Sequence, residues 1–431
     1  MPADTARFAT RAVHAARVRD TANARATPIY LTAGFEFDDF AHAADHFGTG
    51  TGFGYTRTGN PTVRAVERQL AALESGADAL LVASGQAAVS TALLTVAGAG
   101  DHIVSSTHVY EGTRGLLADS LARLGIQTTF IDDIADPQAW RSAIRPNTRA
   151  LFAESIANAR NDVLDVAAIA RVADEAAIPL IVDNTLATPF LLRPIEHGAA
   201  IVVHSASKFL AGQGSVLGGV IVDDGRFDQA TAGRNAPHLL LPGPGGLAST
   251  AERHGGNARI AYARESVAPR FGPSPSPLNA FLIGQGVETL GLRVERQSRN
   301  ALDVARWLAA QESVESVDYA GLPGHPEHAR AERYLDGGFG SVFTFTLRGG
   351  LAAARRVVET VRVFTHMTHI GDVRSLVLHP ATTSHVLRTD EERAVLGVAP
   401  GTLRLSIGIE DVDDLIEDLA EALPTAKENA A

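Results

Sequence analysis

Lys208 stands in the stretch HSASKFLAGQGSVLGG, residues 204 to 219, directly after the apolar run Ala200 to Val203. Upstream, a second apolar run, Leu180 to Val182, ends in Asp183. Both runs read as strands buried on two faces, with the acid and the lysine at or just past their C-terminal ends. That is the edge where open α/β sheets hold their ligands. A lysine amine can form a Schiff base with a carbonyl group, and a carboxylate can partner a pyridinium nitrogen. Together they suit pyridoxal phosphate.

An isolated lysine at a strand end is ordinarily just solvated, so the neighbours matter. Ser205 and Ser207 bracket it with hydroxyls able to donate to a phosphate. Residues 78 to 96 read as strand, turn and helix, which offers the amides of Gly85 and Gln86 at a helix N-terminus where an anion is favoured. The segment GYTRTGNPT, 54 to 62, adds Tyr55 and Arg57, and an arginine can clamp a phosphate with two parallel bonds.

The elements that must carry these residues are regular from Asn60 onward. Helices are expected at 63–73 and 86–96, and strands at 78–83, 102–105, 128–131, 150–153, 180–182, 201–203 and 219–222. Alternating strands and helices imply a mostly parallel sheet covered on both faces. Prolines at 237, 242, 244, 273, 275 and 277 mark a junction near 272. Beyond it, helices are expected at 278–311 and 350–361, strands at 341–345 and 402–407, and a last helix over 412–423 with a frayed tail to Ala431. The expected organisation is an N-terminal arm (1–58) with little periodic pattern, a cofactor-binding domain (59–272) and a C-terminal domain (273–431).

Composition narrows the function classes. The 431 residues are 45% hydrophobic and 20% charged, as in a soluble globular enzyme of two or three domains. A net charge of −11 argues against nucleic acid or an anionic membrane as the main partner. Without cysteine there is no disulfide, thiolate metal site or cysteine nucleophile. No apolar run is long enough for a transmembrane helix, and Asp4 and Asp20 interrupt the basic bias of Arg7, Arg11, Arg17 and Arg19, so a cytoplasmic location is expected over organelle targeting. GQGSVLGG is not a dinucleotide fingerprint, since its third glycine would fall at Leu217. Histidines 366, 369, 379 and 385 match no common metal-ligand spacing, and no metal is expected.

By these segments the chain resembles the fold-type I pyridoxal-phosphate enzymes of cysteine and methionine metabolism, and among them is most similar to O-acetylhomoserine sulfhydrylases. The resemblance rests on YTRTGNPT (55–62), ASGQAA (83–88), HVYEGT (108–113), ESIAN (154–158), VDNTLATPF (182–190), the Lys208 segment, GDVRSLVLHPATTSH (371–385) and LRLSIGIED (403–411), in order along nearly the whole chain. It implies a mostly parallel central sheet with helices on both faces and a smaller α+β C-terminal domain. It implies that Lys208 is the Schiff-base lysine and proton carrier, that Asp183 holds the ring nitrogen protonated, and that Tyr110 stacks on the ring and moves a proton at the leaving group. Gly85, Gln86, Ser205 and Ser207 would cradle the phosphate, Thr185 would join the cofactor contacts, and Asn158 would touch the ring hydroxyl. Arg404 would pair with the substrate α-carboxylate, with Ser375 beside it. Tyr55 and Arg57 would reach the site of a neighbouring subunit, Tyr55 also meeting substrate there, so a homodimer is the minimum and a homotetramer the expected assembly.

The activity so implied is γ-replacement on an activated homoserine ester by sulfide or methanethiol. A γ-lyase or a cystathionine γ-synthase would use the same machinery, and a catalytically silent cofactor-binding partner is the reading from another class. Three positions depart from the family's pattern: Ala159 follows Asn158 where proline is usual, Glu111 follows Tyr110 where glycine is usual, and His369 stands where sulfhydrylases tend to carry asparagine. The stretch 230–272 matches poorly.

Overall fold

The computed structural model describes residues 6–16, 23–50, 52–158, 160–231 and 236–424. Ala159, Arg17, Arg19, Asp4, Asp20 and the tail from 425 lie outside them.

Seven strands build the larger sheet: β1 (Asp78–Val82), β2 (His102–Ser106), β3 (Gln127–Ile131), β4 (Thr148–Glu154), β5 (Leu180–Asp183), β6 (Ile201–Ser205) and β7 (Gly219–Asp223). Their order is β1-β7-β6-β5-β4-β2-β3. All neighbours from β6 to β3 are parallel, while β7 runs antiparallel to both β6 and β1. The sheet expected from the sequence is therefore present, with one reversed strand that periodicity could not reveal. β7 can return antiparallel because it follows β6 through the Lys208 loop rather than through a crossover helix.

The strand period of two sorts the core. Leu81, Leu151, Val182, Val202 and Val222 pack on one face of the sheet. Leu80, Phe152, Ile181, Ile201 and Ile221 pack on the other. Five further strands, β8 (Val314–Asp318), β9 (Val342–Leu347), β10 (Thr365–His366), β11 (Leu376–Leu378) and β12 (Thr402–Ser406), form a second sheet in the order β10-β11-β12-β9-β8 with its own core around Phe343, Phe345 and Leu405.

Three expectations need correction. The N-terminal stretch does contain regular structure, helices α1 (Phe8–His14) and α2 (Phe40–Thr49). Helix α1 is short and held by tertiary bonds to α3 (Pro61–Leu73): Arg11 donates to the Ala72 carbonyl and Gln69 to that of Ala12. Such stabilisation leaves little periodicity to read. The helix expected over 278–311 is two, Pro277–Glu288 and Leu290–Ala309, broken at Thr289. Strands β8, β10 and β11 were not foreseen, since β10 and β11 are only 2 and 3 residues long and β8 reads VESVD, exposed on much of its length.

Candidate active site

The site lies on the C-terminal edge of the parallel strands. Lys208 follows β6 in a tight loop whose backbone folds back, with the Lys208 amide donating to the Ser205 carbonyl. Arg293, on the helix Leu290–Ala309, pins the next residues by donating to the carbonyls of Phe209 and Leu210. From the other side comes the segment before β11. Gly371 (φ +75°) lies against Phe209 so closely that a Cβ would come within 2.7 Å of the Phe209 amide nitrogen. This contact sets His369 Nδ1 3.0 Å from Lys208 Nζ.

Burial, with the Arg404 guanidinium nearby, lowers the Lys208 amine to about 8. Burial and the lysine's charge push His369 down to about 4, so its imidazole is neutral near pH 7 and Nδ1 can accept from the ammonium. Far more of Lys208 is thus free amine near neutrality than of an ordinary lysine, about one-tenth of it at pH 7.

Asp183 ends β5 one strand away, in register with Glu154 of β4 on one side and Val203 of β6 on the other. The Thr185 hydroxyl donates to Asp183 Oδ1 (2.5 Å) and accepts from the Ser205 amide (2.8 Å), tying the acid to the strand that leads to the lysine. Burial raises the Asp183 carboxyl, against the Thr185 bonds, which favour its charged form.

Helix α4 (Gly85–Val96) begins beside Ser205. Its cap, Ser84, accepts from the Ala87 amide, and Gly85 and Gln86 are the first two helical residues, whose amides have no carbonyl within the helix to bond. A Cβ on Gly85 would sit 2.6 Å from Ser205 Cβ, so only glycine lets the helix end approach this strand. Gly85→Ala should cost about 1–3 kcal/mol by overpacking and weaken cofactor binding about tenfold or more. Titration of the cofactor-free protein with pyridoxal phosphate reads this directly, and an unchanged affinity would refute the close-packing argument.

Arg404, on β12, is only 7% exposed. Its guanidinium donates to Asn158 Oδ1 and to the Thr368 carbonyl, both at 3.3 Å. Burial lowers it to about 10, still charged at neutral pH. A buried cation with two long bonds for five donors suits an anion. Tyr110 is half exposed at the N-terminus of a short helix, Glu111–Gly115, close enough to Arg404 to favour the guanidinium's charged form. Glu111 pairs with Arg388 (2.5 Å).

Lys208, Asp183, Thr185, Ser205, Gly85, Gln86, Asn158 and Arg404 thus sit around one edge of the sheet. Two serines are differently engaged. The Ser207 hydroxyl bonds both the carbonyl and the amide of Gly218. Ser375 is fully buried, its hydroxyl donating to Glu410 and accepting from the Gly408 amide, so its side chain is not open to a substrate. Tyr55 and Arg57 stand apart: Tyr55 is 49% exposed, and Arg57 donates to the Pro269 carbonyl and lies 5.4 Å over the Tyr55 ring. No hydrogen bond or ion pair among the described residues joins them to Lys208, Asp183 or Arg404.

Sequence reasoning assigned no role to Glu154 or Arg293. Glu154 closes the apolar run Ala150 to Ala153 as Asp183 closes its own, so the signal was there; Arg293 lies in the first turn of its helix with none. The four histidines are scattered rather than clustered: His379 bonds Thr382 and the Pro400 carbonyl, and His385 bonds Ser384.

The pieces fit pyridoxal phosphate. Lys208 offers an amine of lowered pKa, Asp183 a carboxylate for a ring nitrogen, and the first turn of α4 with the Ser205 hydroxyl a cradle for a phosphate.

The family model for Cys/Met metabolism PLP-dependent enzymes matches residues 9–424. The O-acetyl-L-homoserine sulfhydrylase of Corynebacterium glutamicum is 42% identical, covering 97% of both chains. The homocysteine synthase of Schizosaccharomyces pombe is 41% identical over 99% of this chain and 100% of its own. A crystal structure from Campylobacter jejuni, named as an O-acetylhomoserine (thiol)-lyase and containing N'-pyridoxyl-lysine-5'-monophosphate, superposes with a TM-score of 0.92 at 33% identity, covering 97% of this chain and 99% of that one.

Proposed function

The chain belongs to the Cys/Met metabolism PLP-dependent enzymes, and from that membership we propose that it catalyses γ-replacement: O-acetyl-L-homoserine plus sulfide or methanethiol gives L-homocysteine or L-methionine plus acetate. The observation that carries the reading is the half-buried Lys208 amine beside His369 and Arg404. The similarity to sulfhydrylases along nearly the whole chain supports it.

Pyridoxal phosphate, when bound, supplies an electron sink that stabilises negative charge at the carbon next to the substrate amine. Lys208 holds the group and afterwards takes and returns protons at the substrate's α and β carbons. Asp183 keeps the ring nitrogen protonated, and Thr185 fixes the carboxylate's direction. Gly85, Gln86, Ser205 and Ser207 anchor the phosphate, Ser207 through the loop it braces on Gly218. Arg404 orients the substrate by its α-carboxylate, and Asn158 directs that guanidinium. Ser375 helps through the backbone it fixes with Glu410. Tyr110 would lie over the ring and pass a proton to the departing acetate.

Tyr55 and Arg57 serve the phosphate and substrate of a neighbouring subunit in this reading. Their exposure, with no hydrogen bond or ion pair to Lys208, Asp183 or Arg404 among the described residues, favours that role. A homotetramer, a cytoplasmic location and the domain limits 59–272 and 273–431 belong to the same reading. No helix among the described residues is long and apolar enough to cross a membrane.

The test is incubation of the purified protein with O-acetyl-L-homoserine and either thiol. Homocysteine with sulfide and methionine with methanethiol are the expected products. Absence of both, with pyridoxal phosphate bound, would refute the reading.

A further inference from the structure

Glu154 is a buried carboxylate, 5% exposed, to which the catalytic reading gives no part. Its two oxygens reach two different loops. Oε1 accepts from the Tyr110 amide at 2.5 Å, in the loop after β2. Oε2 accepts from the Asn158 amide at 3.2 Å, in the loop after β4. The residue itself is paired in register with Asp183 of β5. One side chain therefore joins three of the elements that bring functional groups to the sheet edge.

We propose that Glu154 is a positioning residue that fixes the backbone of Tyr110 and Asn158 beside Asp183, and through Asn158 the direction of Arg404. The geometry gives the reason for an acid. A carboxylate offers two acceptors set apart by a fixed angle, and here each meets a backbone N–H that no carbonyl among the described residues serves. A glutamine of the same size has one acceptor and would turn its own N–H₂ towards the second amide. The Asn158 side chain accepts from Arg404, so releasing the Asn158 backbone frees the guanidinium's partner as well. Desolvation and the neighbouring Asp183 raise Glu154 to about 8, while the two amide bonds hold it down. Protonation would cost Glu154 one of its two acceptors, so the joint is complete above about pH 8 and weakens below it.

The proposal rests on the proposed function for the roles of Tyr110, Asn158 and Arg404, but its first test does not. Amide hydrogen exchange is measured on the full-length, cofactor-free chain. In the native protein the Tyr110 and Asn158 amides should exchange at least about tenfold more slowly than exposed loop amides. In Glu154→Gln one of the two should lose about tenfold in protection, with the strands unchanged. In the loaded enzyme the same variant should lose about tenfold in kcat with KM within about twofold. Glu154→Asp, which keeps the charge but is one methylene too short to span both loops, should not restore kcat.

Native-protein amides that exchange like exposed ones would overturn the proposal even if Glu154→Gln failed to fold. Equal exchange in the native and Gln forms would also overturn it, as would full activity in Glu154→Asp. A native protein that formed no homocysteine would sink the functional reading, while the exchange result would still decide whether Glu154 holds the two loops.

Discussion

Lys208→Ala should lose turnover by roughly 10⁴-fold while the protein stays folded. The lysine is asked for both the covalent tie to the cofactor and the movement of protons, and no neighbour can replace it. His369 is its hydrogen-bonded neighbour, but it offers no amine for the covalent tie, and burial still holds its imidazole below the usual range once the lysine's charge is gone. The fold should tolerate the change because the amine's bond to His369 is a single contact, while the loop is held by its backbone and by Arg293 on the Phe209 and Leu210 carbonyls. Lys208→Arg should be equally inactive, since a guanidinium stays charged and cannot act as base. Thermal unfolding and steady-state rates of the two variants check this. A variant retaining more than about 1% of the native kcat would remove Lys208 from the centre of the account.

Arg404→Leu should raise KM for the amino-acid ester and lower kcat/KM by about 30- to 5,000-fold, the range that follows from about 2–5 kcal/mol for breaking a buried charge pair. Arg404 is nearly enclosed, and its two bonds within the chain, to Asn158 and Thr368, are both long. Most of its donors are thus left for the substrate's carboxylate. Sulfide carries no carboxylate, so KM for sulfide should stay put. Arg404→Lys should recover only part of the loss, because an ammonium cannot repeat a bidentate pair. Kinetics with each substrate varied in turn separate the effects. Equal losses for ester and sulfide would mean that Arg404 supports the fold of the site rather than the carboxylate.

Much of the larger sheet was legible because its strands are buried on both faces and so read as uninterrupted apolar runs. Lys208 and Asp183 could be found from where such runs stop. What the runs do not encode is direction, so β7's reversal beside β6 came only with the structure. The short strands β10 and β11 take their form from pairing with neighbours distant in sequence, and two or three residues carry no usable period. Helix α1 was missed for a related reason, being fixed by α3 rather than by its own pattern.

The site shows the same division. Residue type and the resemblance pointed to Arg404, but only the fold brings β12 to Asn158. His369 stood out in the sequence as a departure, and its meaning as the neighbour of Lys208 depends on Gly371 packing against Phe209. Ser375 was a reasonable expectation from its place in the motif; its hydroxyl is committed to Glu410, a partner 35 residues away that no local pattern announces.

The most direct test of the account is the division of product between homocysteine and 2-oxobutanoate, measured with O-acetyl-L-homoserine as sulfide is raised from zero. Replacement predicts that homocysteine rises with sulfide until it accounts for nearly all ester consumed, with 2-oxobutanoate falling away. Oxobutanoate that persists as the main product at saturating sulfide would contradict γ-replacement and make the enzyme a γ-lyase.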